Sequence, residues 1–214
     1  MGKRAMWFGD RAVLVKVDTP AERESIATSL THPMPEALIR RGMASVLIEM
    51  PTPDPQLLET VDHHLSGVDA TAIDLHGHEE VHIVVDYSGD DLATTATFFD
   101  VTAADLIAAH TSQTWRVAMM GFAPGFGYLE PLGNPLLAWE SLPRRDNPRA
   151  QVPTGSVALA AGMSAVYPTS SPGGWHLLGT TTTRLFDPHK EGSPALLRPG
   201  IGVRFIGLDG GKTP

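Results

Sequence analysis

The chain has 214 residues, 42% of them hydrophobic, enough to bury roughly 70% of its unfolded surface without disulfides or metals. It has no cysteine, which excludes thiol chemistry, and its net charge of −8 is uneven: residues 1–110 carry 7 basic and 18 acidic side chains (−11), residues 111–214 carry 9 and 6 (+3). An acidic first half argues against a nucleic-acid partner. A second half with seven arginines suits a small anion, or loops that simply solvate their charges.

In chain order, Arg11 to Val17 alternates like a strand, and Pro20 to Leu30 is a charged, helix-compatible stretch with proline near its start. Met43 to Met50 is a β-branched apolar run, and Pro55 to Leu65 reads as a helix. Strand and helix repeated within about 70 residues predict a small α+β sandwich. Gly67 to His78 has no periodicity and is the expected linker. Glu80 to Tyr87 reads as a strand, and Asp91 to Phe99 and Thr102 to His110 as two short helices, Thr102 and Asp105 forming a capping pair. Trp115 to Met120 returns to strand, followed by short apolar runs at Ser156 to Ala161, Trp175 to Leu178 and Ile201 to Ile206. The second half holds 15 of 21 glycines and 12 of 18 prolines, as a β-barrel with structured loops requires. The longest weakly polar stretch, Gly155 to Pro168, is too short and too interrupted to span a membrane. Met1 to Trp7 lacks a signal pattern, so a cytoplasmic location away from membranes is expected.

Four segments bear on chemistry. Gly121 to Leu132, GFAPGFGYLEPL, combines backbone-permissive glycines with Phe122, Phe126 and Tyr128. It lacks the lysine-serine pair of a phosphate-cradling loop and reads equally well as a rigid plug at a barrel end. Pro143 to Pro153, PRRDNPRAQVP, holds Arg144, Arg145 and Arg149 among three prolines, with Asp146 placed to neutralise one of them. Proline rigidity lowers the entropy lost when such side chains close on an anion. In VPTGS, Ser156 offers a hydroxyl but has no histidine beside it, so it is not a nucleophile. In SPGGW, Ser171, Gly173 and Gly174 form a turn whose amides suit an anion, and Trp175 is either a stacking platform or core. Asp187, in LFDP, is a turn residue or a general acid/base. Of nine histidines, His76, His78 and His82 lack the spacing of a metal site, and no metal centre is expected. His110 ends a helix and precedes the glycine-rich segment, which makes it the histidine placed for proton transfer.

Together, GFAPGFGYL, PRR-x-x-PR-x-x-VP-x-GSVA, VYP, SPGGW and LFDP, in this order, resemble subunit 1 of bacterial allophanate hydrolase, a family also known as the B component of 5-oxoprolinase. The family includes an inhibitor of a sporulation histidine kinase. The resemblance is strong from Glu80 to Leu208 and weaker before it, where FGDRAVLV is similar to the family's opening strand. It implies an α+β fold, with a small ferredoxin-like α/β sandwich followed by a cyclophilin-like β-barrel, here residues 1–78 and 79–214. It further implies a smaller subunit of an ATP-dependent amidohydrolase acting on 5-oxoproline, allophanate or a related small amide. ATP with Mg²⁺ would be handled at a site shared with a larger partner, of the type of allophanate hydrolase subunit 2 or the C component of 5-oxoprolinase, with room for a third subunit. On that reading Arg144, Arg145 and Arg149 hold a carboxylate or phosphate, the amides around Gly173 and Gly174 stabilise an oxyanion, and His110 or Asp187 moves the proton. No residue is a self-sufficient catalyst, so the chain alone is expected to be inactive. The alternatives are an inhibitor of a histidine kinase and half of a biotin-dependent carboxyltransferase. Met163 and Ser164 stand where the family has glutamine and threonine, and Thr180 where it often has arginine, departures expected to remove polar contacts from a ligand groove.

Overall fold

The computed structural model describes residues 4–68 and 79–208 and divides the chain into two compact units, 1–75 and 76–214. Of the expected linker, all but Gly67 and Val68 lies outside the described residues.

The first unit is a four-stranded antiparallel sheet of β1 (Ala5–Trp7), β2 (Ala12–Lys16), β3 (Leu38–Arg41) and β4 (Ser45–Glu49), in the order β1-β2-β4-β3. Helices α1 (Pro20–Thr31) and α2 (Leu57–Leu65) cover it. The alternation read from the sequence fixes the buried face. Val13 stands opposite Ile48 and Val15 opposite Val46, and all four pack on Ile26, Leu30, Leu57 and Val61. Thr19 caps α1 by accepting from the Glu22 amide, and Pro20 follows where its missing N–H is not needed. β4 lies between β2 and β3, which is the split β-α-β arrangement of a ferredoxin-like sandwich. The far edge of β2 is occupied by the N-terminal strand β1, which three residues of AMW did not reveal.

The second unit is a seven-stranded mixed sheet. Its strands are β5 (Glu80–Val85), β6 (Trp115–Met120), β7 (Gly127–Pro131), β9 (Ser156–Ala160), β10 (Met163–Val166), β12 (His176–Thr180) and β13 (Gly202–Gly207). The order is β12-β9-β10-β7-β6-β13-β5, and the two edges meet where Asp86 and Thr180 exchange two hydrogen bonds of 2.8 Å, bringing the sheet to a nearly closed barrel. A separate ribbon pairs β8 (Arg149–Val152) with β11 (Ser171–Gly173). Helices α3 (Leu92–Phe98) and α4 (Ala103–Ser112) follow β5, and α4 carries the predicted capping box of Thr102 and Asp105. The short strands β7, β8, β10 and β11 were hidden by the glycines and prolines that end them.

The wall of this sheet is buried on both faces, which is why β9 reads as an unbroken apolar run. On one face Val117, Leu129, Val157, Leu159, Val166 and Leu178 join Trp115, Trp139, Leu106 and Phe205 in the main core. On the other, Ala118, Ala158, Ala160, Ala165 and Leu177 form a second cluster with Phe126, Tyr167 and Trp175. Each large side chain so buried contributes about 1.5–3 kcal/mol. The small residues of the second face leave space for three aromatic rings above them.

Candidate functional site

That aromatic cluster opens into a cavity of about 90 Å³ lined by Phe122, Phe126, Tyr128, Arg144, Tyr167, Pro172, Gly173, Gly174 and Trp175. Phe126 is its hub, with ring centroids 4.9 Å from Tyr128, 5.4 Å from Tyr167, 6.1 Å from Trp175 and 5.1 Å from Phe122, all edge-on. The loop before β7 makes this possible through a γ-turn: Ala123 N–H donates to Gly121 C=O at 2.7 Å around Phe122, whose φ is +67°. A bulky residue in the left-handed region is strained. The turn places Phe122 at the rim, 60% exposed. Gly173 is required because a Cβ there would meet the Tyr167 hydroxyl at 2.2 Å.

Behind the cavity lies a residue that sequence reasoning missed. After β5 the chain runs beside β12, donating from Gly89 to Leu178 C=O and from Asp91 to Leu177 C=O. This places the buried Asp91 carboxylate under the loop that carries the arginines. It accepts from Arg145 Nη1 (2.6 Å), Arg149 Nη1 (2.8 Å), Arg149 Nη2 (3.0 Å) and the Leu177 amide (2.7 Å). Burial by itself raises the carboxyl's pKa. The Arg149 and Leu177 hydrogen bonds and the two guanidinium charges outweigh it and hold the group below its ordinary value of 3.8. Arg149 is raised in turn, chiefly by its hydrogen bond to Asp91. The signal in the sequence was an aspartate just before a helix, which reads equally well as an ordinary cap, and its partners lie 54 to 86 positions away.

The predicted site residues therefore separate. Tyr128, Arg144, Gly173, Gly174 and Trp175 line the cavity, whereas Arg145 and Arg149 bind Asp91. Asp146, expected to neutralise an arginine, forms no ion pair among the described residues; Asp91 takes that role. The hydroxyls of Ser156 and Ser171 are buried without a hydrogen-bond partner among the described residues, and neither lines the cavity. Asp187 shapes a turn, accepting from the His189 amide at 3.0 Å and pairing with Arg184 at 3.1 Å.

His110 is on the opposite face of the wall, fully buried between Trp115 and Phe205. Ser164 donates to Ala158 C=O at 3.3 Å, which leaves His110 Nε2–H donating to Ser164 Oγ (3.0 Å) and His110 Nδ1 accepting from the Tyr87 hydroxyl (2.7 Å). Burial pushes the histidine down to about 3 and the Tyr87 phenol up. The helix end was expected to favour a charged His110; desolvation overrides that dipole, and the ring is neutral. The departures from the family pattern also lie away from the cavity. Ser164 faces His110, Met163 is buried beneath the aromatic cluster, and Thr180 closes the barrel with Asp86. None of the three lines the cavity.

The second unit is thus a nearly closed mixed barrel with an arginine-bearing aromatic box on one wall. The chain belongs to the family described as carboxyltransferase domain, subdomain C and D, whose model matches residues 3–197. It is 32% identical over 213 residues to the B component of 5-oxoprolinase from Escherichia coli O157:H7, covering 95% of each chain. The crystal structure of TTHA0988 aligns with a TM-score of 0.73 at 33% identity and covers 95% of this chain, which spans 41% of that longer one. The Kluyveromyces lactis urea amidolyase shares the fold, with a TM-score of 0.69 at 18% identity over 95% of this chain and 15% of its own.

Proposed function

We propose that the chain is the smaller subunit of an ATP-dependent amide hydrolase acting on 5-oxoproline, allophanate or a related small amide. The carrying observation is that the segments resembling the family, GFAPGFGYL, PRR and SPGGW, supply the walls of a single cavity. The Escherichia coli relative of matching length, one component of a 5-oxoprolinase, supports a separate chain that works with others, and the longer TTHA0988 supports a partner corresponding to its remaining length.

ATP does not fit the box: about 90 Å³ is well below the roughly 300–1,000 Å³ typical of drug-sized ligands. A cavity of about 350 Å³ in the first unit is lined by Glu36 and Asp54, and one of about 270 Å³ in the second by Asp86, the wrong sign for a triphosphate. We therefore assign ATP and its Mg²⁺ to the larger partner, and derive no step through them. This chain's residues bind and orient the amide: Arg144 supplies charge, the rings exclude water, and the Gly173–Gly174 backbone forms the wall nearest the aromatic hydroxyl of Tyr167. A proton carrier is also assigned to the partner, because His110 is buried away from the box and Asp187 is held in its turn.

The test is to mix the chain with its larger partner subunit at neutral pH and follow ATP hydrolysis with 5-oxoproline and with allophanate. Substrate-stimulated hydrolysis that needs both chains is the expected result; robust turnover by either chain alone overturns the reading. The family's description as a carboxyltransferase domain favours a second reading, half of a biotin-dependent carboxyltransferase. Loss of turnover on adding avidin would select it.

A further inference from the structure

We propose that the second unit carries another small-molecule site, at the carboxyl ends of β5 and β13, and that it takes a monoamine with an apolar body, held as its ammonium ion. The site shares no residue with the aromatic box and does not rest on the function proposed above.

β5 and β13 run parallel, in register from Glu80 beside Gly202 to Val85 beside Gly207. The other strand pairs of this unit among the described residues are antiparallel. The carboxyl ends of parallel strands leave a crevice where the chain turns away, a recurrent place for ligands. Here the chain leaves β5 at Asp86, which closes the barrel with Thr180, while α4 packs on β13. Between them lies a cavity of about 270 Å³. Val85, Tyr87, Ile107 and Leu208 give it apolar walls. Ile107 and Thr111 stand one turn apart on the same face of α4. Gly207 leaves the Tyr87 ring uncovered, since a Cβ there would stand 3.9 Å from two of its carbons.

Three side chains around the cavity carry polar atoms, and none has a proton free to give. Thr111 Oγ1 donates to Ile107 C=O at 2.8 Å, within its own helix. The Tyr87 hydroxyl donates to His110 Nδ1 at 2.7 Å. Asp86 presents an exposed carboxylate whose oxygens have no hydrogen bond or ion pair among the described residues. No lysine, arginine or histidine among the described residues lines the cavity. A ligand bringing donors and positive charge meets acceptors only, whereas a carboxylate or phosphate finds no side-chain donor. Thr111 also lies in the last turn of α4, where the helix's partial negative charge favours a cation. The aromatic ring of Tyr87 at the wall adds to the same preference.

Size and exposure set the rest of the ligand. A cavity of about 270 Å³ is the share of about nine water molecules at about 30 Å³ each, room for an amine of roughly nine non-hydrogen atoms. Leu208 is 63% exposed at the mouth, so an apolar body covers surface that water otherwise meets. The ammonium end then stays beside Asp86, where it keeps part of its hydration and avoids the cost of burying a bare charge.

The experiment titrates the isotope-labelled full chain, followed by nuclear magnetic resonance, with phenethylamine, 2-phenylethanol and 3-phenylpropionate. The alcohol and the acid replace the ammonium by a neutral and by a negative group. Phenethylamine is expected to shift the amides of Tyr87, Thr111 and Leu208 saturably, leaving those of Tyr128 and Trp175 in place. It should bind about fivefold more tightly than the alcohol, the upper range for a partly exposed ion pair, and the acid should bind more weakly than either. Asp86→Asn should reduce the amine to the level of the alcohol. Asp146→Asn, the same change of charge at an exposed position outside the cavity, should not. Thr111→Val, which removes an acceptor and keeps the shape, should weaken the amine by about threefold. No saturable shift up to about 10 mM amine, shifts centred on Tyr128 and Trp175, equal affinity for amine and alcohol, or an amine preference unchanged in both Asp86→Asn and Thr111→Val overturns the proposal.

Discussion

The carboxylate of Asp91 accepts two hydrogen bonds from the guanidinium of Arg149, at 2.8 and 3.0 Å, across 58 residues of chain. This pair, with Arg145, fastens the arginine loop to β12 and so sets the wall from which Arg144 projects. Asp91→Ala leaves two guanidinium groups and the Leu177 amide without their acceptor, and Arg149→Ala leaves a buried carboxylate with half its partners. Each is expected to lower stability by about 3 kcal/mol, whereas Asp146→Ala, at an exposed position with no ion pair among the described residues, should stay within about 0.5 kcal/mol of wild type. Urea unfolding of the three variants decides this. Similar midpoints for all three would mean that the pair holds nothing in place.

The protein should lose stability in acid in two stages. His110 is depressed to about 3 in the folded chain, against about 6.5 when unfolded. Between those values the unfolded state binds the proton and the native state does not, so stability falls as pH drops from about 6.5 towards 3. Above about 6.5 the histidine has no effect. Asp91, held below its ordinary value, adds stability that is complete above the unfolded carboxylate pKa of about 3.9 and disappears below it. Denaturant midpoints from pH 8 to 3 measure the slope. His110→Gln should remove the part between about 6.5 and 4; an unchanged slope there would mean that His110 is not buried in its neutral form.

Phe122 sits in the left-handed region at the rim of the box. Phe122→Gly should relieve strain and stabilise the second unit by about 1 kcal/mol while weakening ligand binding through loss of one wall. Paired thermal melts and ligand titrations check the opposition. A variant that is less stable than wild type would show that the turn is not strained.

Much of the fold was legible because its causes are local. The Arg11–Val17 alternation, the Met43–Met50 apolar run, the Thr102–Asp105 capping pair and the apolar run of β9 each declare themselves within a few residues. Strands of three to five residues bounded by glycine and proline, such as β7, β8, β10 and β11, carry too few side chains to show a period. The candidate site was legible in part. Tyr128, Arg144 and Trp175 stood out by residue type beside glycine and proline. The sorting of the arginines was not legible, since it depends on Asp91, which the barrel closure brings beneath a loop more than 50 positions later. His110 drew attention as a helix-end histidine, and only the packing of Trp115 and Phe205 against it shows that it is neutral and sealed.

The most direct test of the central claim is the KM for the amide substrate in ATP hydrolysis by the assembled complex, with Arg144→Gln in place of the wild-type chain. On the function proposed above, Arg144 binds the substrate through charge and takes no part in the bond change, so KM should rise by about tenfold or more while kcat stays within about threefold. A KM equal to wild type, or substrate-dependent turnover by the partner subunit without this chain, would contradict the account.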